Sequence, residues 1–411
     1  MALKGKRIVI LLHRVELVRQ TSEKLTEFGV SHGVIHPKYK PRYYEPVQVA
    51  SIQTLVKRTD FFEAPDLIVI DEAHHASAGT WQRVLAAYPN ALCLGVTATP
   101  MRGDGKGLDD CFDVLVEGVN IQELIGDGYL VAPKVKQPSL IDLEGVRIVR
   151  GDYDKKEVEQ RVNKPKIIGD IVSHYTKYAH KIPAVVFCVS VKHAEDMAEA
   201  FRVAGYNALS VDGKTDDETR QTTLAGLGNG TVDVVCSCDL ISEGTDIPAI
   251  GCAILVRKTL SEGLYLQQVG RALRTSDGKD YAIILDHVGN TITHGLPHQL
   301  RSWSLQGRPK GKRKGDRNPD AIATRQCPTC YTVHEKSPSC PECGHVYEAE
   351  REMVMVDGEL RDAEEILIER REKYREQGRA TTRAELEAIA RERGYKKGWV
   401  FWMMRIKGIT N

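Results

Sequence analysis

The segment Asp66-Leu-Ile-Val-Ile-Asp-Glu-Ala-His-His75 constrains the fold more than any other stretch of the chain. Residues 67–70 are apolar and rich in β-branched side chains, the pattern of a strand buried on both faces of a sheet. Asp71 and Glu72 follow at once, with His74 behind them. A strand that ends in two acids puts carboxylates at the carboxyl edge of an α/β sheet, where such proteins bind ligands. There Asp71 can hold Mg²⁺ and Glu72 can polarise an attacking water. An ordinary strand end with two solvated acids is the plainer alternative, and so short a motif does not decide between them.

Alternation of strand and helix extends from this segment in both directions. Strands are expected at 6–12, 47–50 and 92–96, and helices at 15–28, 52–56 and 80–87. Such alternation predicts a parallel, doubly wound sheet. Residues 101–160 are less regular and read as the connection to a second lobe. That lobe repeats the pattern, with strands at 184–189, 208–211, 232–236, 252–256 and 281–285 and helices at 192–204, 216–227 and 261–273. A chain of 411 residues has room for two or three domains. The expected division is a first lobe at 1–133, a connector at 134–160, a second lobe at 161–300, a basic linker at 301–325, a metal ribbon at 326–347 and a helical region at 348–411. The fold class is α/β.

Asp71-Glu72-Ala73-His74 resembles the DEAH box of superfamily-2 helicases, and other blocks of that family stand in the expected order. Residues 7–17 resemble motif Ia, 49–55 motif Ib, 95–100 motif III, 242–248 motif V and 267–274 motif VI. Six blocks in order across about the first 275 residues are far more specific than any one of them. The accompanying four-cysteine module makes the chain similar to RadD-type bacterial repair helicases and their phage relatives. The resemblance implies two tandem RecA-like domains that use ATP and Mg²⁺. Asp71 would bind the metal and Glu72 would orient the hydrolytic water. His74 would couple that site to the hydroxyls of Thr97 and Thr99. From the second lobe, Gln267, Arg271 and Arg274 would face the γ-phosphate, the two arginines lying on one helical face. Gly244 and Asp246 would meet the nucleotide. Nucleic-acid contacts would come from His13, Arg14, Ser51, Gln53 and Thr54 in the first lobe, and from Ser190, Lys192, Arg220 and Thr245 in the second. For each of these side chains taken singly, a solvated polar residue is the plain alternative.

The family's first block, a glycine-rich loop ending in Gly-Lys-Thr or Gly-Lys-Ser, is not matched ahead of motif Ia. Gly5-Lys6-Arg7 has no strand before it and no hydroxyl after the lysine. Without that loop's strand and helix, the first sheet is expected to expose apolar faces and unpaired ladder groups. The chain reads as a truncated or deliberate fragment, as one half of a split gene completed by another polypeptide, or as a decayed copy, the first two ahead of the third.

A net charge of +1 excludes a uniformly basic coat, so any nucleic-acid surface is local. No apolar run approaches the ~20 residues of a membrane span, and no membrane partner is expected. Of ten cysteines, six are scattered and four form C-x₂-C-x₉-C-x₂-C through Cys327, Cys330, Cys340 and Cys343. This spacing predicts a tetrahedral Zn²⁺ site, in a reducing cytoplasm and not a disulfide framework (the cytoplasm of a bacterial host if the gene is a phage's). His334 and His345 are read as surface residues and not ligands. Residues 308–317, basic and glycine-rich, read as a flexible linker. Charged helices are expected at 362–377 and 383–394, the second capped by Thr381-Thr382. The aromatic and basic stretch 393–405 either stacks nucleic-acid bases or is a short helix that docks Trp399, Trp402 and Met403 onto the body of the protein.

The function expected from these features is an ATP-dependent DNA helicase or translocase in repair, replication, recombination or phage DNA metabolism. Its partner would be single-stranded or branched DNA ahead of RNA. The rival is an ATP-independent nucleic-acid-binding or regulatory fragment. A restriction motor ranks below both, because no nuclease constellation is evident.

Overall fold

A computed structural model describes residues 5–61, 63–102, 107–138, 141–149, 151–238, 249–307, 322–347, 376, 379–395, 398–407 and 409. The chain divides into two units, residues 1–347 and 348–411. The larger unit begins with strands β1 (Ile8–Leu12), β2 (Gly33–Ile35), β3 (Val47–Ser51), β4 (Leu67–Asp71) and β5 (Leu92–Val96). They form an all-parallel sheet in the order β2-β3-β1-β4-β5. Helix α1 (Val15–Glu27) lays Val18 against Leu12, Val34 and Val49 on one face. On the other, α2 (Ile52–Leu55) and α3 (Gly79–Ala87) pack Leu55, Trp81 and Val84 with Leu11, Ile68 and Ile70.

Strand β4 departs from the expectation of burial on both faces. Ile68 and Ile70 are buried, but Leu67 and Val69 are only partly so. The cause is its neighbour β5, an edge strand whose Leu92, Leu94 and Val96 are 65, 50 and 43% exposed. Parallel sheets ordinarily cover both faces. Among the described residues, β5 therefore presents an exposed apolar face at the edge of the first sheet.

The chain continues through α4 (Ile121–Gly126), β6 (Ala132–Lys136), a hairpin of β7 (Ile148–Val149) and β8 (Asp152–Tyr153), α5 (Lys155–Val162) and α6 (Pro165–Tyr178). Then come β9 (Ala184–Cys188), α7 (Val191–Val203), β10 (Ala208–Val211), α8 (Asp217–Asn229), β11 (Val234–Cys238), β12 (Cys252–Leu255), α9 (Glu262–Leu273), β13 (Tyr281–Asp286) and α10 (Asn290–His294). The second sheet is also parallel, in the order β10-β11-β9-β12-β13-β6. Two apolar clusters cover its faces.

Three expectations change here. Strand β6 pairs with β13, so a border at residue 133 falls inside a strand of the second sheet, and 134–160 is more ordered than a connector. Helix α6 was unassigned, although Pro165 in its first turn and the buried stripe Ile168, Ile171, Val172 and Tyr175 carry helical signals. Residues 301–307 are not linker. Partly buried Arg301 pairs with buried Glu262 at 2.7 Å, and the Leu305 carbonyl accepts from Leu108 N at 2.6 Å. The basic run at 308–317 lies outside the described residues.

Strands β14 (Thr324–Gln326) and β15 (Val333–Glu335) form an antiparallel ribbon. It joins the second sheet where Lys136 bridges Thr332 and Gln137 N donates to the Tyr331 carbonyl. In the smaller unit, α11 (Arg383–Glu392) starts at a capping box between Thr382 and Glu385. Its Leu386 and Ile389 pack with Met404, Trp399 and Met403 of α12 (Gly398–Lys407), so the partner of these side chains is the neighbouring helix of the same unit. The expected helix at 362–377 lies outside the described residues except Glu376, as does the Trp402 side chain. No helix among the described residues is long and apolar enough to cross a membrane.

Buried neutral histidines are expected to make the second lobe acid-sensitive. Burial lowers His193 from 6.5 to about 4 and His287 to about 3, the latter also through nearby His174. The unfolded chain therefore binds more protons than the native one below pH 6.5, so stability present above that pH is lost as pH falls toward about 4. Urea unfolding across this range should show the loss, on the order of 3 kcal/mol per histidine from the 1.36 kcal/mol of each pKa unit. His287→Gln should flatten the profile; an identical pH slope in that variant would exclude the assignment.

Candidate functional site

The site grows from the end of β4. Glu72 adopts φ 51° and ψ 54°, the left-handed region. A non-glycine residue there costs about 1–3 kcal/mol, and such residues cluster at functional sites. This kink turns the chain into the short helix Ala73–His75 and leaves both acids at the sheet edge. Asp71 Oδ1 accepts from Glu72 N at 3.0 Å. His74 Nδ1 lies 3.4 Å from Glu72 Oε2 and 3.2 Å from Thr97 Oγ1. Thr97 Oγ1 in turn accepts from Thr99 N at 3.2 Å. The acid-bearing segment and the Thr97–Thr99 segment, separate in sequence, thus form one polar chain.

The second lobe closes on this chain through α9. Gln267 Nε2 reaches Glu72 Oε2 at 3.4 Å. A cavity of about 360 Å³ between the lobes is lined by His74, His75, Thr99 and Arg102 on one side and Ser261 and Gln267 on the other. Arg271 is buried and lies one turn beyond Gln267 on the same helical face, and Arg274 forms the helix C-cap. Gly244, Thr245 and Asp246 lie outside the described residues.

Helix α9 owes its position to residues that local sequence patterns do not reveal. Glu262 in its first turn pairs with Arg301, 39 residues away. Asp152 accepts from Thr259 Oγ1 at 2.7 Å and from Leu260 N at 2.6 Å, more than a hundred residues away. Gly263 of the second lobe sits against Thr99 of the first. A Cβ added there would lie 2.8 Å from Thr99 Oγ1 and 3.3 Å from its Cβ. Gly263→Ala is therefore expected to hold the lobes apart, and a misplacement on the order of 1 Å at a reacting site lowers rate about 10²-fold. Interlobe fluorescence transfer combined with a hydrolysis assay checks this; an unchanged distance and rate would refute it.

Strand pairing assembles the first-lobe residues assigned to nucleic acid. Because Leu12 of β1 lies beside Ser51 of β3, the loops holding His13 and Arg14 and holding Gln53 and Thr54 are neighbours. Gln53 Nε2 donates to the His13 carbonyl at 3.1 Å, and Ser51 Oγ donates to Gln53 Oε1 at 2.7 Å. Ser51 and Thr54 are themselves buried. In the second lobe, Arg220 pairs with Glu16 of α1 and so bridges the lobes. Ser190 caps α7 by accepting from His193 N at 3.0 Å and also bonds Glu159. Lys192 is exposed and pairs with Asp196 at 2.6 Å.

The four ribbon cysteines hold their sulfurs within 4.8 Å of one another. Cys327 and Cys343 are 3.6 Å apart, and Cys330 and Cys340 3.7 Å. A tetrahedron with Zn–S bonds of about 2.3 Å has sulfurs about 3.8 Å apart, so the set fits Zn²⁺. Burial raises the Cys327 thiol, but backbone N–H groups of Cys330 and Thr329 outweigh it and lower it, whereas at Cys343 the lowering by the His345 N–H is outweighed by the neighbouring sulfurs, which push it up. His334, expected at the surface, is buried, with Nε2 2.7 Å from the Tyr347 hydroxyl. It lies outside the sulfur cluster.

Comparison with known proteins bears on this geometry. Residues 1–102 match the type III restriction enzyme res subunit family, and 163–276 match the helicase conserved C-terminal domain. A "51.5 kDa protein" of Lactococcus phage (isolate 7-9) is 33% identical over 360 residues, covering 87% of this chain and 76% of the phage protein. A Saccharomyces cerevisiae protein that carries the name ATP-dependent helicase IRC3 is 29% identical over 299 residues, covering 68% of this chain and 43% of the yeast protein. This chain thus spans about three quarters of the phage relative but less than half of the yeast one. A fragment assigned to the HsdR subunit of a type I restriction enzyme from Vibrio vulnificus YJ016 shares the fold at a TM-score of 0.56 and 22% identity, over 74% of this chain and 56% of that one. Two parallel-sheet lobes, domain families matched over both, and a phage relative of similar extent lead to one assignment: the chain belongs to the superfamily-2 helicases.

Proposed function

We propose that this chain is the motor of an ATP-dependent DNA helicase or translocase serving repair, replication or recombination. One observation carries the reading: Glu72, His74 and Thr97 of the first lobe face Gln267 of the second across a cleft, with Gln267 and Glu72 3.4 Å apart. Glu72 orients and polarises water, and Arg271 and Arg274 supply positive charge from the facing lobe. Asp71 would hold Mg²⁺, which when bound with ATP would screen the charge of the phosphates. Because Glu72 touches Gln267 and Thr99 abuts Gly263, loss of the γ-phosphate would be felt in the lobe spacing. Repeated closing and opening then moves the His13 and Arg14 face relative to Arg220 along a strand. DNA rather than RNA is supported by the resemblance to RadD-type helicases. The ribbon, loaded with Zn²⁺, serves as a structural module on the second lobe.

The rival, an ATP-independent nucleic-acid-binding protein, has the uncovered β5 face in its favour, since the first sheet is bare on the side next to the acids. The test is phosphate release from ATP with and without oligonucleotide DNA or RNA. It is run on the chain alone and with an added polypeptide bearing a glycine-rich phosphate loop. DNA-stimulated hydrolysis in either preparation supports the motor, and hydrolysis only after addition identifies a split one. Binding without hydrolysis in both preparations establishes the rival.

A further inference from the structure

Residues 301–307 leave the second lobe and return to the first. Arg301 fixes where they start. Its Nε donates to Glu262 Oε1 at 2.7 Å, and its two Nη groups donate to the carbonyls of His294, Leu296, Pro297 and Gln299 at 2.8–3.2 Å. A guanidinium whose rigid fork is filled in this way is pinned to α9 and to the end of α10. Trp303 then packs against the core of the second lobe. Two residues later the chain reaches the first lobe, where the Leu305 carbonyl accepts from Leu108 N at 2.6 Å and from Asp109 N at 3.1 Å. Leu108 is buried, and a Cβ built at Gly107 would overlap the Leu305 carbonyl oxygen. A turn follows, in which Gly307 N donates to the Ser304 carbonyl at 3.1 Å and Gly307 takes φ 72°, a left-handed value that suits glycine.

The first-lobe seat of this segment leads straight to the acids. The Leu108 carbonyl accepts from Phe112 N at 3.0 Å, and Phe112 packs beside Ala73 and Gly95. Ala73 follows Glu72, and Gly95 stands two residues before Thr97. At the other end, Glu262 lies in the first turn of the helix that carries Gln267. Helix α9 and the acid-bearing segment are thus joined twice, once by Gln267 and Glu72 and again through 301–307.

We propose that residues 301–307 are a strut of fixed length that sets the spacing of the two lobes, with Gly107 as its seat, and so positions Gln267 against Glu72. Neither part belongs to a helicase-like block, since Gly107 falls between residues 95–100 and 242–248 and the strut follows 267–274. The chain itself crosses between the lobes from Phe112, packed on the first core, to Ile121, packed on the second. A single crossing leaves the lobes free to twist as well as to open. A second one, held by backbone hydrogen bonds and not by a flexible side chain, removes part of that freedom. The effect on hydrolysis rests on the helicase reading, whereas the effect on spacing does not.

Two variants of the full chain test the strut. Gly107→Ala removes its seat. Insertion of two glycines after exposed Ser302 keeps both anchors and adds up to about 7 Å of slack. Dyes carried on azide-bearing side chains at exposed Phe28 in the first lobe and Val203 in the second report energy transfer without nucleotide. Each variant is expected to widen the distribution of transfer efficiencies. Each should also lower kcat/KM for ATP about 10–10²-fold, with kcat and KM changing together as they do for hinge substitutions. The insertion lies in an exposed stretch, so it covers the case in which Gly107→Ala fails to fold. Wild-type distributions in both variants, even with a lowered melting temperature, overturn the strut and leave the helicase reading standing. A wider distribution with unchanged kcat and KM overturns its role in positioning Gln267. If the wild-type chain hydrolyses no ATP, with or without an added phosphate-loop polypeptide, the helicase reading fails and the distribution alone decides the strut.

Discussion

Glu72→Gln is expected to lower nucleic-acid-stimulated ATP hydrolysis by about 10²–10⁴-fold, the usual contribution of a positioned general base. The substitution keeps side-chain size and the oxygen that faces Gln267, so the contact across the cleft can persist. What disappears is the negative charge that polarises water and the pull on His74, 3.4 Å away. The left-handed backbone at Glu72 is retained, because the strain belongs to the main chain and not to the carboxylate. Nucleic-acid affinity, set by side chains elsewhere, should stay within a few-fold of wild type. Phosphate release and oligonucleotide anisotropy on the same preparation separate the two quantities. A loss in rate below about tenfold would remove Glu72 from the chemistry, and an equal loss in affinity would indicate a folding defect instead.

The second large effect concerns metal. Cys340→Ser, or stripping with a strong chelator, should unfold the ribbon, since zinc supplies about 10–16 kcal/mol of apparent folding free energy in modules of this kind. The ribbon has little else to hold it. Its two strands have three residues each, and Val333, Cys327 and Cys340 are its buried apolar groups. So small a segment cannot bury enough surface to offset its own ordering entropy. Unfolding should release the Lys136–Thr332 and Lys134–Glu342 contacts and leave the edge of β6 open to solvent. Zinc content of the intact chain, colorimetric release after thiol modification, and proteolysis within 322–347 report the change. A content well below one zinc per chain in protein purified without chelator would end the proposal.

Much of this was written in short stretches of sequence. The strands β1, β4, β9 and β12 announce themselves as unbroken apolar runs, and Thr382 with Glu385 announces a helix start, because each depends on residues a few positions apart. The Asp71–His74 block and the paired cysteines are likewise local, and the chemistry of their side chains is independent of the fold around them. Helix α6 was equally legible, in Pro165 at its start and the stripe at Ile168, Ile171, Val172 and Tyr175.

What the sequence by itself determined is therefore the set of elements and the chemical groups at their ends. Only the tertiary structure decided which groups meet. It set Gln267 against Glu72 and Thr99 against Gly263, and it buried Glu262 with Arg301. It drew β6 into the second sheet, left one face of β5 bare, and brought Leu305 back to Leu108. The physical reason is that periods of 2 and 3.6 report which side of an element is apolar. A contact across a hundred residues depends on strand order and chain path, on which those periods are silent.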